Sequence, residues 1–464
     1  MAKPWATYGV DLHLDRSGPG LRRGLTDALR AAVRTGRLAP GTRLPASRSL
    51  AVDLGVARNT VAEVYGDLVA EGWLTARQGS GTRVAEQPPA APAPPPSPSR
   101  RREPSRPAYD LIPGTPELAS FPRDQWLRAA RRALAAAPDR ALGYGDPRGL
   151  ATLRTALAGY LARARGVHAD PDRIVVCAGF LGGLGLLADV LRRRGERAIA
   201  TESYGLPHHR DLIRRGGCAT PALPWGEHGT RPPHDGLRAG AVLLTPSHQF
   251  PMGGVLRPED RTALTAWARD TGGLILEDDY DGEFRYDRQS VGALQGLAPD
   301  HVVYLGTASK SLAPGLRLGW LVLPPSLVEE TVAALPGRVP GVLDQLTLAE
   351  FLTSGGYDRH VRAARLRYRR RRDALVTALA ERAPDVRVTG IAAGLHAVLR
   401  LPPGTEQSVH RAAAWHGLAV GALSSFRHPE ADVPPQDAVV VGYGTPPDHA
   451  WAGALDALCG ALGS

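Results

Sequence analysis

Three cysteines, Cys177, Cys218 and Cys459, are all that the 464 residues contain. They lie far apart, with no CxxC and no metal-ligand spacing, which excludes a disulfide scaffold or zinc ribbon and suits a reducing cytosol. No apolar run approaches the roughly 20 residues needed to span a bilayer. The opening MAKPWATYGVDLHLD lacks the basic-then-apolar order of a secretory leader. A cytoplasmic location is therefore expected. Lysine is scarcer than cysteine: of 56 Lys+Arg, only Lys3 and Lys310 are lysine. Arginine makes salt bridges and phosphate contacts as well as lysine does, but it does not deprotonate at accessible pH. What lysine adds is an amine that can lose its proton and attack a carbonyl. Composition alone thus makes Lys310 a Schiff-base candidate.

What is plentiful bounds the fold. At 43% hydrophobic and 22% charged, most of the chain can fold, which excludes globally disordered and fibrous classes. The length exceeds one ordinary core, so two or more domains are expected. Charge is uneven. Residues 1–85 hold 12 Lys+Arg against 7 Asp+Glu, and residues 86–107 hold 4 against 2, out of a net +10. An anionic partner for the N-terminal part is one reading, and a solvated arginine-rich face is the other.

The chain divides in three. Residues 86–107, EQPPAAPAPPPSPSRRREPSRP, contain nine prolines and cannot pack a core. Such a spacer, fully extended, reaches on the order of 70 Å at ~3.1 Å per residue. Ahead of it, residues 1–85 read as three helices and a hairpin. Leu21 to Val33 is amphipathic and stopped by Gly36 and Pro40. Ser47 is expected to cap a short helix, Arg48 to Leu54, ended by Gly55. A third helix runs from about Arg58 to Glu71, with Val61, Val64 or Tyr65, and Leu68 at core spacing. Trp73-Leu74-Thr75 and Thr82-Arg83-Val84 flank the turn Gln78-Gly79-Ser80-Gly81. Two short helices joined at a glycine form a helix-turn-helix, whose second helix enters the major groove N-terminus first. That end is Arg58-Asn59-Thr60.

Residues 21–84 resemble the winged helix-turn-helix of the GntR regulator family. The resemblance rests on Pro40-Gly41-Thr42-Arg43-Leu44-Pro45, Ser47-Arg48-Ser49-Leu50-Ala51, Leu54-Gly55-Val56-Ala57-Arg58-Asn59-Thr60-Val61 and Gly79-Ser80-Gly81-Thr82. It implies that Arg43, Arg48, Arg58, Asn59, Thr60 and the wing tip Gln78-Gly79 face operator DNA.

From Tyr109 onward short apolar runs alternate with helical stretches, as in an α/β domain. Arg173 to Cys177 reads as a strand running into Ala178-Gly179-Phe180-Leu181-Gly182-Gly183, with a helix over Leu184 to Arg193. A glycine turn before a helix is a natural phosphate cradle and also a common structural turn. Gly273-Leu274-Ile275-Leu276 reads as a buried parallel strand. It discharges into Glu277-Asp278-Asp279-Tyr280-Asp281, where open α/β sheets bind ligands; an ordinary acidic loop is the other reading. A second such strand, Val302 to Leu305, leads to Gly306-Thr307-Ala308-Ser309-Lys310-Ser311, and Arg317 precedes a third, Leu318 to Leu323. One amine, hydroxyls, an arginine, a glycine turn and a carboxylate together suit pyridoxal 5′-phosphate (PLP). That cofactor needs an amine for its aldehyde, phosphate anchors and an acid beside its ring nitrogen.

Residues from about 109 to 464 resemble fold-type I aminotransferases, and the whole chain resembles the MocR/GabR branch of GntR regulators. Tyr144-Gly145-Asp146-Pro147-Arg148-Gly149, Pro246 to Pro251 and Gly306 to Arg317 are the residues that match. The fold implied is a winged helix-turn-helix over 1–85, a linker over 86–107, and α/β large and small domains over 108–464, the small one from about 335. The resemblance implies that Lys310 holds the cofactor aldehyde, Asp278 pairs with the ring nitrogen and Tyr280 with the phenolic oxygen. Thr307, Ser309, Arg317 and the Phe180–Leu181 backbone would anchor the phosphate. Tyr144 would reach the phosphate across a homodimer interface. The function implied is a PLP-binding transcriptional regulator that senses an amine or PLP itself at Lys310. A working aminotransferase carrying a DNA-binding module is the alternative.

Departures from the aminotransferase pattern bear on that choice. Phe250 stands where an asparagine usually serves the phenolic oxygen, and Leu206 where a tyrosine is common. Ala438 stands where an arginine usually binds a substrate carboxylate, and Arg427 is a substitute candidate for the effector. The eight arginines of Arg359 to Arg372 read better as a solvated helix face than as a second DNA surface. Cys177 reads as packing. His208, His209 and His248 lack companions at metal-ligand spacing, so no metal is expected.

Overall fold

A computed structural model describes residues 20–77, 81–86, 107–234, 237–286, 291–335 and 340–463. The chain forms two compact units, Met1–Ser105 and Arg106–Ser464. Nearly all of the proline-rich stretch 86–107 lies outside the described residues, as do Gln78, Gly79 and Ser80.

In the N-terminal unit α1 (Leu21–Arg34), α2 (Ser47–Leu54) and α3 (Arg58–Ala70) precede a hairpin of β1 (Leu74–Arg77) and β2 (Gly81–Val84). Leu25, Leu29, Val33, Leu50, Val61, Val64, Tyr65 and Leu68 meet in one core. Val64 and Tyr65 are both buried, and the Tyr65 hydroxyl donates to Pro45 O at 3.0 Å, tying α3 to the turn before α2. Gly55, at φ 65°, ends α2 in the left-handed conformation that favours glycine. Ser47 is not the cap. Ala46 is extended and its carbonyl accepts from Leu50 N, so the helix starts one residue earlier than expected and Ser47 is its first member. The hairpin pairs Leu74 with Val84 and Arg77 with Gly81.

The C-terminal unit is built on a six-stranded sheet. In chain order its strands are β3 (Ile174–Cys177), β4 (Ile199–Thr201), β7 (Ala241–Leu244), β8 (Leu274–Asp278), β9 (Val302–Thr307) and β10 (Gly319–Val322). The intervening pair β5 (Trp225–Gly226) and β6 (Gly229–Thr230) forms a separate small hairpin. Spatial order is β3-β10-β9-β8-β7-β4. β4, β7, β8 and β9 run parallel, and β10 is antiparallel to both of its neighbours. Every residue of these strands is buried, as expected of a sheet covered on both faces. The helix after β3, α4 (Gly179–Arg193), begins at Gly179 rather than Leu184, so Gly182 and Gly183 belong to its first turns. A Cβ on Gly183 would sit 2.9 Å from Leu321 Cδ2 and 3.1 Å from Cys177 Sγ. This glycine therefore serves close packing of helix on sheet. The next helix is α5 (Pro207–Arg215).

After the long helix α6 (Gly356–Arg382), a second sheet has the order β11 (Arg387–Thr389), β12 (Ala397–Arg400), β14 (Ala438–Val441), β13 (Gly421–Ala422), all antiparallel. The arginine run on α6 is only partly the solvated face expected. Arg371 is buried and donates to the carbonyls of Tyr443 and Pro446, and Arg367 pairs with buried Glu117 at 2.9 Å. These cations stitch α6 to the segments around Glu117 and Tyr443. The three cysteines are free and buried, and burial pushes Cys177 up to about 12, consistent with packing. Among the described residues no helix is long and apolar enough to cross a membrane.

Candidate functional site

The N-terminal unit separates its charges. Arg22 on α1 binds Glu63 and Asp67 at 2.8 Å each, and Arg30 binds Glu71 at 2.8 Å and Asp27. The acids of α1 and α3 are thereby neutralised on one flank. Arg43, Arg48 and Arg58 are exposed and have no ion-pair partner among the described residues. Arg58 and Asn59 stand in the first turn of α3, exposed, with Thr60 half-buried behind them. The Arg43 guanidinium lies against the wing, within 3.3 Å of where a Cβ on Gly81 would project. Unpaired guanidiniums at a helix N-terminus beside a wing suit a phosphate backbone and a base edge. Gln78 and Gly79 lie outside the described residues.

In the C-terminal unit β3, β4, β7, β8 and β9 all end on one cavity of about 350 Å³, at the carboxyl ends of the parallel strands. It is lined by Phe180, Leu181, Asp278, Tyr280, Thr307, Ser309, Lys310 and Arg317, eight of the nine residues expected around a cofactor. The ninth, Tyr144, is fully exposed and is not among its lining residues.

Each side chain has a local reason for its place. Asp278 is the last residue of β8; burial pushes its carboxyl well above the usual range, with Lys310 opposing the shift. Its Oδ1 is buried without a partner. Lys310 follows β9 and donates to Gly114 O. Burial lowers its pKa, against the pull of Asp278 and Asp281. Tyr280 is held protonated by burial and by the charges of Asp281 and Asp278, and its hydroxyl lies 3.1 Å from His248 Nδ1. Thr307 and Ser309 share a 2.8 Å hydroxyl contact. Arg317, the one non-glycine residue with positive φ among the described residues, donates to Ala178 O at 2.7 Å. That places a guanidinium at the N-terminus of α4, where Gly179, Phe180 and Leu181 carry first-turn N–H groups.

The residues present fit PLP. An unsatisfied buried carboxylate oxygen calls for a protonated ring nitrogen. An amine of lowered pKa suits an aldehyde, and a helix N-terminus with an arginine suits a phosphate.

Some residues fall elsewhere, and others were missed. Arg427 does not line this cavity: its Nη2 donates to the carbonyls of Ala431 and Val433 at 2.8 Å, which holds its own loop. Ala438 is buried in β14. Phe250 packs edge-on to Tyr280, so the wall there is apolar. Leu206 also lines the cavity. His396, Arg210 and Glu202 line it and were not expected. His396 is held neutral by burial, its pKa lowered to about 3, and its Nε2 meets Pro251 O at 3.0 Å. Arg210 is buried and donates to Gly205 O at 3.1 Å. Glu202 receives hydrogen bonds from the Thr230 and Thr245 hydroxyls at 2.8 and 2.5 Å, and burial raises it to about 7. Glu202 follows β4, His396 precedes β12 and Arg210 lies within α5, and no motif marks that convergence. His248, Asp281 and His396 also converge, with potential ligand atoms within 4.8 Å of one another. The 2.8 Å contact of His248 Nδ1 with Asp281, and that of His396 with Pro251 O, already engage these groups.

Comparison with known proteins gives the same two parts. Residues 21–84 match the gntR family of bacterial regulatory proteins, and residues 114–433 match the class I and II aminotransferases. The HTH-type pyridoxine biosynthesis transcriptional regulator PdxR of Corynebacterium glutamicum is 36% identical over 430 residues, covering 91% of each chain. The probable rhizopine catabolism regulatory protein MocR of Rhizobium meliloti is 35% identical, over 93% of this chain and 92% of that one. Among solved structures, LysN, the alpha-aminoadipate aminotransferase of Thermus thermophilus, superposes with a TM-score of 0.66 at 25% identity. It covers 76% of this chain and 91% of LysN, which is complexed with N-(5′-phosphopyridoxyl)-L-leucine.

Proposed function

The chain belongs to the MocR/GabR type of gntR-family regulators, a DNA-binding head joined to a class I and II aminotransferase body, and from that premise we propose that it senses PLP and transmits its binding to operator DNA. The observation that carries the reading is Lys310, the one lysine beyond residue 3, placed in a cavity whose Asp278 has a buried oxygen without a partner. When bound, PLP supplies an aldehyde that condenses with primary amines.

The chain's own residues do the rest. Lys310, its pKa lowered, presents a nucleophilic nitrogen. Asp278 holds a proton on the ring nitrogen, and Tyr280 donates to the phenolic oxygen. Thr307, Ser309, Arg317 and the first-turn N–H groups of Phe180 and Leu181 grip the phosphate. Arg43, Arg48, Arg58, Asn59 and Thr60 contact the duplex, and by the family resemblance Gln78 and Gly79 do so too. Exposed Tyr144 completes the phosphate site of a second copy, so the working form is a homodimer. The stretch 86–107 carries the change from body to head, which alters DNA affinity only if the ligand binds two states of the protein unequally.

The ligand sensed is PLP itself or an amine. Ala438 offers no charge to a substrate carboxylate, Arg427 Nη2 is held by its own loop, and buried Arg210 is the cation that lines the cavity beside Arg317 and Lys310. The PdxR relative, named for pyridoxine biosynthesis, supports the choice of the vitamer. DNA binding measured while PLP and candidate amines are titrated tests the reading, with Lys310→Ala alongside. The wild type is expected to shift its affinity and the variant to stay level. A variant that responds like the wild type, or steady turnover of amino acid with a keto acid, overturns it.

A further inference from the structure

We propose that the C-terminal unit has a second small-molecule site, under the β5–β6 hairpin, that takes an organic monocarboxylate carrying a hydrogen-bond donor. A cavity of about 530 Å³ lies there, lined among others by Trp225, Arg400 and Gln436. It is separate from the cavity around Lys310, with Glu202 and Thr245 in the wall common to both.

Its polar groups are unsatisfied. Arg400 Nε and Gln436 Oε1 are buried without partners, and Arg400 has no ion pair among the described residues. A buried donor and a buried acceptor left open each lose their hydration without replacement, so such pairs are uncommon unless something fills them. Tyr204, which lines the Lys310 cavity, meets Trp225 of the second cavity edge-on at 5.4 Å.

The charge around the cavity selects the ligand. One guanidinium presents a planar fork that matches a carboxylate. Exposed Glu227 and Asp432 line the same cavity, an arrangement that repels a dianion such as phosphate more than a monoanion. Gln436 Oε1 accepts a hydrogen bond and so asks for a hydroxyl or amine on the ligand. Trp225, half-buried, offers a flat apolar surface to the remainder.

The site is joined to the cofactor cavity by three hydrogen bonds in series. Thr230 of β6 donates to Glu202, Thr245 after β7 donates to Glu202, and Phe250 N donates to Thr245 Oγ1 at 3.1 Å. Phe250 is part of the wall that faces Tyr280. A ligand that orders the hairpin therefore acts on the wall of the first cavity.

The test is titration calorimetry of the full PLP-loaded chain with 3-hydroxybenzoate, and with inorganic phosphate as the competing anion. Saturable binding of one 3-hydroxybenzoate per chain is expected, weakened at least about tenfold in Arg400→Gln, the loss of one charged hydrogen-bond partner. Gln436→Leu, which leaves the charge in place, is expected to weaken it severalfold and keeps the test open if Arg400→Gln does not fold. Absence of saturable binding, binding untouched by these variants, or phosphate binding as tightly as the carboxylate overturns the proposal.

Discussion

Arg317 Nη2 donates to the carbonyl oxygen of Ala178, and its guanidinium comes to rest over Gly179, 3.4 Å from where a Cβ would project. Gly179 has φ +71°, a conformation L side chains rarely adopt. Gly179→Ala is expected to displace either the guanidinium or the first turn of α4. PLP affinity should fall by about tenfold or more, read by absorbance titration, and the strained backbone should also lower the thermal midpoint of the unliganded protein.

Lys310→Ala is expected to abolish the visible band that PLP gives with the wild type, and with it the covalent adduct trapped by borohydride. Non-covalent PLP binding should persist, because the phosphate grip and Asp278 are untouched. A variant that still forms a borohydride-trapped adduct at the same site would show that another amine does the work.

In the head, Arg58→Ala is expected to weaken specific DNA binding by roughly 10- to 100-fold, the usual worth of one groove contact. It should also lower the salt slope by about one. Arg22→Ala, on the flank where Glu63 and Asp67 already neutralise it, is expected to leave DNA affinity within about threefold. Equal losses in a gel-shift assay would contradict the charge separation.

Glu202 gives a pH prediction. Its carboxyl is raised by burial from the usual range to about 7, so the folded state holds a proton there that the unfolded chain has released. Stability from this group is full below about 4.5 and is lost as pH rises to about 7, a total of about 3 kcal/mol. Glu202→Gln removes that dependence. The thermal midpoint of the variant relative to the wild type is expected to rise between pH 5 and pH 8, and an unchanged difference would contradict it.

Local patterns made most of the fold legible. Helix positions α1 and α3, the buried strands β8 and β9 and the acidic strand end at Asp278 follow from spacing of apolar residues and from glycine punctuation. Ser47 misled because its cap preference is local, whereas the start of α2 is set by the extended backbone at Ala46. Gly182 and Gly183 misled because glycine marks both turns and close packing, and only the nearness of Leu321 and Cys177 tells them apart. Arg371 looked like a surface cation because sequence shows its neighbours in the chain and hides Tyr443 and Asp448. Lys310 and Asp278 were legible through rarity and position at strand ends. Arg210, Glu202 and His396 were not, since Glu202 and His396 reach the cavity from the ends of separate strands and Arg210 from within α5. Arg427 was placed by its type, an arginine in the right neighbourhood, and backbone carbonyls claimed it first.

Because β10 turns back against β9, a single loop, residues 308–318, joins adjacent antiparallel neighbours. That loop delivers both Lys310 and Arg317, and Thr307 stands at its threshold. The nitrogen that tethers and the cation that clamps are thus mounted on one bracket. An insertion or deletion anywhere along it would unseat both at once, so this segment can vary in side chains but hardly in length.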